Sequence, residues 1–263
     1  ASYTAKDVST LRQMTGAGIL DCRNALEETG GDLEEAAKLL RERGLAGAAK
    51  RSDREASEGA VAVAVSADAA AVVELRCETD FVAKADEFVA LTNELAALVA
   101  AKGEDAASEL GDAIDGLRST LKENISVGRV RRLAAGSGQV IDTYLHLQAG
   151  RGVNAVAVVL EGATEELAHD IAVHIAFTKP AYLSRDEVPE AEVAAERETL
   201  TTISRNEGKP EAAMEKIVEG RMTGWFKERV LLDQAYVRDE KQTIAGMLGS
   251  ARIVSFAQVV IGA

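Results

Sequence analysis

The stretch RCETDFVAK, residues 76–84, decides how this chain is read. An alternating apolar segment ends near Cys77 and runs without a loop into Glu78-Thr79-Asp80 and then Phe81-Val82. Alternation marks a strand, and a Thr-Asp pair ahead of apolar residues marks a helix start, so the stretch is a strand-to-helix corner. One reading of the corner is structural. Thr79 or Asp80 caps the helix by accepting from its free N–H groups, Asp80 complements the helix dipole, and Phe81 or Val82 packs on the strands behind. The other reading is functional. Phe81 and Val82 stand ~100° apart around a helix, so its first turn need not bury both. A carboxylate beside an exposed phenyl ring makes a probe for another protein's apolar seam and cationic groups.

Working outward, VAVAV (61–65), a turn at Ser66-Ala67-Asp68 and AVVELRC (71–77) read as a hairpin. Downstream, the pattern predicts one helix from Asp80 to about Ala100, carrying Phe88, Val89, Leu95 and Leu98, and another over roughly 105–123. Three strands follow at 127–135, 139–146 and 153–162, the first two separated by a turn at Gly136-Ser137-Gly138. A helix over 164–177 ends before Lys179-Pro180. Residues 190–232 read as two long helices joined at Asn206-Glu207-Gly208-Lys209-Pro210, with Gly to leave one and Pro to enter the next. A short helix near 240–247 and a strand at 252–260 complete the pattern.

Upstream, residues 1–50 read as three short helices. Val8, Leu11 and Met14 form one apolar face; Ile19, Cys22, Ala25 and Leu26 a second; Leu33, Ala36, Leu39 and Leu40 a third. TGAG (15–18) and Thr29-Gly30-Gly31 break them, and Asp32 with Glu35 gives a capping-box-like start to the third. So small a bundle has a thin core and suits docking better than catalysis. The expected fold class is α+β: an N-terminal three-helix bundle, then two related α+β halves with an inserted pair of antiparallel helices. The expected divisions are 1–54, 55–136 and 137–263, with the helical insertion at about 188–232.

Composition narrows the function. The 263 residues suffice for two or three small domains, and 47% hydrophobic content marks a globular chain. Aromatics are only 4%, so the cores should be built from small residues. The net charge of −13 argues against direct nucleic-acid binding, which needs a Lys/Arg surplus. That charge is uneven. Residues 1–54 hold 9 basic and 9 acidic side chains, and the rest of the chain carries the whole excess. No apolar run is long enough for a membrane helix, and ASYTAKDVST is too polar for a secretory leader, so a cytoplasmic location is expected. Cys22 and Cys77 lie 55 residues apart with no CxxC, and read as buried thiols.

Catalytic signatures are missing. The chain has no GxxxxGK[ST], no GxSxG and no HExxH, and TGAGI has no strand before it. His169 and His174 are five apart, off a common helical face for a metal, and read with His146 as surface or structural residues. No cofactor and no metal are expected, and binding is the function left.

At this point the motifs carry a resemblance. LRQMTGAGILDCRNAL (11–26), GDLEEAAKLLRERG (31–44), CETDFVAK (77–84), HDIAVHIAFTKPAYLS (169–184) and GKPEAAMEKIVEGRM (208–222) occur in the order seen in bacterial elongation factor Ts. The chain resembles that family, the guanine-nucleotide exchange factors of elongation factor Tu, over nearly its whole length. The resemblance implies an N-terminal module of the ubiquitin-associated type and a protruding antiparallel coiled coil, with Val193, Leu200 and Ile203 facing Ile217, Val218 and Trp225. It implies that Thr79, Asp80, Phe81 and Val82 enter the partner's G domain and disturb its Mg²⁺ and phosphate site. It further implies docking by the N-terminal module through the stretch holding Arg12, Gly16, Gly18, Ile19 and Leu20, although bundle core is an equal reading of Ile19 and Leu20. His146 falls where the family often has a histidine facing the partner. Some members continue into a further C-terminal helical module, whereas this sequence stops at Ala263.

The partner implied is elongation factor Tu, with no direct nucleic acid and no membrane. A one-to-one complex, a homodimer and a 2:2 complex all stay open. Two rivals remain. An adaptor of the ubiquitin-associated type would bind through residues 1–50 alone and would be indifferent to Asp80 and Phe81. A hydrolase with a non-local site would turn over substrate by itself.

Overall fold

Thr4 opens the first helix with a reciprocal capping box: its hydroxyl accepts from the Asp7 N–H, and the Asp7 carboxylate accepts from the Thr4 N–H at 2.7 Å. The computed structural model describes residues 3–262. Helices α1 (Ala5–Thr15), α2 (Ile19–Glu28) and α3 (Leu33–Ala49) pack around Leu11, Cys22, Ala25, Leu26 and Ala36. Gly16 ends α1 in the left-handed region at φ 67°, and Asp32 caps α3 by accepting from the Glu34 and Glu35 N–H groups. Two residues read on apolar helix faces, Ile19 with docking as an equal reading, are outside. Met14 and Ile19 are 58% and 59% exposed. They flank the Gly16–Gly18 break, at the last turn of one helix and the first residue of the next, past the reach of the three-helix seam.

Strands β1 (Glu58–Val65) and β2 (Ala69–Cys77) form the expected hairpin, running in register from Glu58–Cys77 to Val65–Ala70. The one helix expected over 80–100 is two. A single-turn helix α4 (Asp80–Ala83) stops at Lys84, Ala85 is extended at ψ 136°, and α5 (Asp86–Lys102) starts afresh. The buried face of α5 is Phe88, Leu91, Thr92, Leu95, Ala96 and Val99, and Val89 and Leu98 ride its margins. A 3₁₀ segment (Glu104–Leu110) and α6 (Gly111–Leu121) lead to β3 (Ser126–Ala134), which pairs antiparallel with β2.

The second half repeats this connectivity. β4 (Gln139–Gln148) and β5 (Arg151–Glu161) form a hairpin whose two turn residues, Ala149 and Gly150, both have positive φ. Helix α7 (Glu165–Thr178), the pair α8 (Glu190–Asn206) and α9 (Met214–Arg229), the ribbon β6 (Ala235–Tyr236) with β7 (Asp239–Thr243), and α10 (Ile244–Leu248) come next. Strand β8 (Arg252–Val260) then pairs with β5. In each half a hairpin is followed by helices and a third strand that returns beside the hairpin's second strand. The Gly136-Ser137-Gly138 turn joins β3 of one sheet to β4 of the other and does not make a hairpin.

The two sheets pack face to face, and strand alternation decides which residues meet. Val61, Ala70, Val72, Ala155, Ala157, Ala257 and Val259 fill the space between the sheets. The alternate residues Ala62, Ala71 and Val73 face Leu95, Ala96 and Val99 of α5. Val156, Val158 and Leu160 face Ile171 and Ile175 of α7. The order of layers is helix, sheet, sheet, helix. Small side chains bring the sheets close: a Cβ on Gly152 would lie 2.2 Å from the Val61 carbonyl oxygen. Arginines pin the edges. Arg151 donates to the Gly59 carbonyl and to Glu58 at 2.9 Å, and Arg129 donates to the Val260 carbonyl and to the buried carboxylate of Glu74 at 3.1 Å.

The α8–α9 pair runs antiparallel, bracketed by ion pairs Arg197–Glu219 and Arg221–Glu207. Val218 and Trp225 are buried there with Met214, Met222 and Phe226, and Val193 and Leu200 pack on them. Ile203, expected in that seam, is 41% exposed. Its neighbour Ser204 takes the buried place instead, with its hydroxyl bonded back to the Leu200 carbonyl at 2.7 Å.

Candidate functional site

At the corner, β2 ends on Cys77 and α4 begins at Asp80. Thr79 is the N-cap, in extended conformation, and its hydroxyl oxygen accepts from the Val82 N–H at 3.4 Å. A carboxylate from elsewhere holds the turn more firmly. Glu123 Oε2 accepts from the Glu78 and Thr79 N–H groups at 3.0 and 3.1 Å, and Glu123 Oε1 accepts from the Thr79 hydroxyl at 2.5 Å. Glu78 answers by accepting from the Asn124 N–H at 2.7 Å. Below the turn, the Cys77 thiol donates to the Thr79 carbonyl at 3.2 Å. Burial pushes that thiol up to about 12, so it stays protonated and inert.

On this base stand the two side chains in question. Phe81 is 82% exposed, the most exposed large apolar residue among those described. Asp80 pairs with Lys84 one helical turn on, at 2.5 Å. The hydrogen bond from Lys84 holds the Asp80 carboxyl below its usual range, with the charge of Arg151 adding to it, so Asp80 is ionised. Val82 is half-buried against the core of Leu75, Phe88 and Ile114. At the corner Thr79 closes the helix, Val82 packs, and Asp80 and Phe81 are presented outward.

The N-terminal residues form a second presented surface. Ile19 and Leu20 are 59% and 66% exposed and so are not bundle core. Arg12 is exposed, its carbonyl accepting from the Gly16 N–H at the end of α1. Gly16 turns the chain against the Thr120 side chain, and Gly18 is the N-cap of α2. These residues reach the corner indirectly. Asp21, next to Leu20, accepts from Lys122 at 3.0 Å, and residue 123 carries the carboxylate that binds Thr79. His146 is exposed near the end of β4, 3.5 Å from the Tyr144 hydroxyl, and touches neither group by hydrogen bond. Its hairpin approaches the corner side through Arg151, which binds Glu58 opposite Cys77.

The other histidines have structural roles. His169 pairs with Asp142 at 3.0 Å. His174 is fully buried on α7, with Nε2 at 2.9 Å from Gln234 Oε1 and Nδ1 accepting from the Val237 N–H. Among the described residues no group of three or more His, Cys, Asp or Glu side chains is placed to hold a metal ion. No described helix is long and apolar enough to cross a membrane. Sequence reasoning missed Glu123, Lys122 and Asn124. Nothing in a polar helix end at 122–124 tells which distant backbone it serves.

Comparison with known proteins gives this geometry its setting. The family described as Elongation factor TS matches residues 78–263. A protein named Elongation factor Ts from Clavibacter michiganensis is 45% identical over 277 residues, covering 100% of each chain. One of the same name from Kineococcus radiotolerans is 44% identical, also over 100% of each. That from Micrococcus luteus is 43% identical over 100% of this chain and 99% of its own. A mixed helix-and-sheet chain with these relatives is a translation elongation factor. Within that class, the chain belongs to the elongation factor Ts family.

Proposed function

We propose that this chain is a guanine-nucleotide exchange factor that binds elongation factor Tu with GDP bound and promotes GDP release. The observation that carries the reading is the corner: an ionised carboxylate at Asp80 beside a phenyl ring that is 82% exposed, on a single helical turn anchored to the body of the protein. Leaving a large ring in water has a cost that binding recovers, and exposed aromatics on rigid supports are the usual anchors of interfaces. In this reading Phe81 enters the partner's G domain, and Asp80 exchanges Lys84 for groups near the partner's phosphate site. Mg²⁺ tolerates little departure from octahedral geometry, so a small shift of its neighbours weakens it. GDP phosphates left less neutralised then dissociate more readily. No covalent bond is made or broken. Linkage makes the effect reciprocal, so nucleotide binding also expels the exchange factor.

The rest of the chain is assigned accordingly. Residues 1–54 act as a docking module of the ubiquitin-associated type, presenting Ile19 and Leu20; residues 55–136 and 137–263 form the two halves of the core; and the α8–α9 pair is an inserted coiled coil. His146 is assigned to contact the partner from the second half. The protein works in the cytoplasm and needs no cofactor of its own. The test is release of fluorescent GDP from purified elongation factor Tu, with the native chain and with Asp80→Ala/Phe81→Ala. Acceleration by the native chain and its loss in a folded double variant support the reading. No acceleration by the native chain removes it. Binding to elongation factor Tu by residues 1–54 alone, with the corner variant fully competent, favours an adaptor without exchange activity.

A further inference from the structure

We propose that the segment Lys122–Asn124 positions the corner for exchange, with Glu123 as the positioning residue; this rests on the exchange reading above. Three consecutive side chains hold three separate parts of the chain. Lys122, in the left-handed region at φ 59° where α6 ends, donates to Asp21 beside Ile19 and Leu20. Glu123 accepts from the Glu78 and Thr79 N–H groups and from the Thr79 hydroxyl. The Asn124 side-chain amide donates to the Ser52 and Arg54 carbonyls at 3.1 and 2.7 Å, holding the connection between the N-terminal helices and β1.

The corner needs such an anchor. Helix α4 has four residues, too few to hold a turn by itself. Phe81 is so exposed that packing does not fix its direction, and the backbone beneath it must. That backbone carries two N–H groups, at residues 78 and 79, whose acceptor is Glu123. Binding energy is spent productively only when the probe is already aimed. The same strap sets the spacing between the two presented surfaces, because the grips on Asp21 and on Thr79 come from adjacent residues. A partner touched at both places at once meets them at one separation.

Substitution at Glu123 tests the role in the full-length chain. Glu123→Ala removes all three hydrogen bonds. Glu123→Gln keeps them within reach, because its amide oxygen still accepts from two N–H groups and its amide nitrogen can donate to Thr79. The expected result is a loss of about ten- to a hundredfold in GDP-release acceleration for Glu123→Ala, with most of the activity retained in Glu123→Gln. Amide hydrogen exchange at Glu78 and Thr79, measured without any partner, should quicken in Glu123→Ala alone. In a Phe81→Ala background, Glu123→Ala should cost little more, since the group it aims is already gone.

Equal acceleration by native chain and folded Glu123→Ala overturns the positioning role while leaving the exchange reading intact. Full additivity with Phe81→Ala overturns it too, as does a Glu123→Gln loss as deep as that of Glu123→Ala. Should Glu123→Ala not fold, Glu123→Asp, one methylene shorter, carries the same measurements. No acceleration by the native chain removes the exchange reading, and this role with it.

Discussion

Phe81 and Phe88 stand seven residues apart, yet the first is 82% exposed and the second fully buried. In one unbroken helix, seven residues make nearly two whole turns, so both rings would lie on one face. The break at Lys84-Ala85 separates them: α5 turns Phe88 onto the first sheet, and α4 is free to turn Phe81 outward. The break gives up helical hydrogen bonds and leaves Ala85, an N-cap with no side-chain bond to offer, at the start of α5. Exposure of Phe81 is thus built into the backbone.

The first prediction concerns that ring. Phe81→Ala removes a side chain with little buried area, so stability should change by no more than about 0.5 kcal/mol. If the ring is an interface anchor, its loss should cost about 2 kcal/mol of productive interaction, roughly thirtyfold in exchange at subsaturating concentration. Thermal unfolding and GDP-release kinetics on the same preparation check both. A large stability loss would return Phe81 to a structural role.

The N-terminal surface makes a separable prediction. Ile19→Ala/Leu20→Ala should leave the fold intact, because neither side chain belongs to the bundle core of Leu11, Cys22 and Leu26. Association with elongation factor Tu should weaken by about tenfold or more, as for truncated interface anchors. Saturating concentrations of the variant should restore the release rate, whereas they should not for the corner variant. Titration calorimetry and saturation kinetics distinguish the two.

How far the sequence revealed this arrangement differs from element to element. The hairpin at 58–77, the final strand at 252–260 and the capped helix after Asp32 were legible, because alternation and capping act over a few residues. The corner residues were visible as a motif, but the helix break behind them was not. Ala85 carries no breaker signal, and the periodicity of 80–100 does not register a one-residue interruption. Ile19 and Met14 were apolar at helical spacing, and only the packed bundle shows that they fall beyond its seam. Glu123 was out of reach, since its partners at Glu78 and Thr79 lie 45 and 44 residues away and a carboxylate shows no preference for one distant backbone over another.

The third prediction comes from Glu74, a carboxylate 1% exposed inside the first sheet. It sits where the β2–β3 ladder is irregular between Val73 and Leu75, and accepts from the Arg129 N–H at 3.0 Å and from the Arg129 and Arg76 side chains. Gly128 leaves room, since a Cβ there would lie 2.4 Å from the carboxylate. Burial pushes the Glu74 carboxyl up, but the bonds from Arg129 and Arg76 outweigh it and hold the group below its usual range. A depressed acid contributes stability above its ordinary value of 4.5, and that contribution fades as pH falls through the lower folded value. Glu74→Gln should lose about 2 kcal/mol at neutral pH, because the charge-assisted hydrogen bonds from Arg129 and Arg76 lose their carboxylate. Its urea-unfolding free energy should also fall less steeply than that of the native chain below pH 4.5, the ordinary value for such a carboxyl.

His174 predicts the opposite approach to neutrality. Its ring is sealed between α7 and the 234–237 segment, with Nδ1 accepting from Val237 N–H and Nε2 therefore the nitrogen that donates to Gln234. A second proton on Nδ1 would set two N–H groups against each other in a dry site. Burial accordingly lowers the imidazole below its ordinary 6.5, against a smaller opposing pull from Gln234. The unfolded chain thus binds this proton more readily than the folded one, and stability rises with pH across the window just under 6.5. Between pH 6.5 and 5.5 the native chain should lose up to about 1 kcal/mol on this account. His174→Gln, close in size and untitratable, should start less stable but lose that part of the slope. Unfolding free energies of both chains at the two pH values decide it: parallel decline would mean that the acid sensitivity arises elsewhere and that His174 binds its proton equally well in the folded and unfolded states.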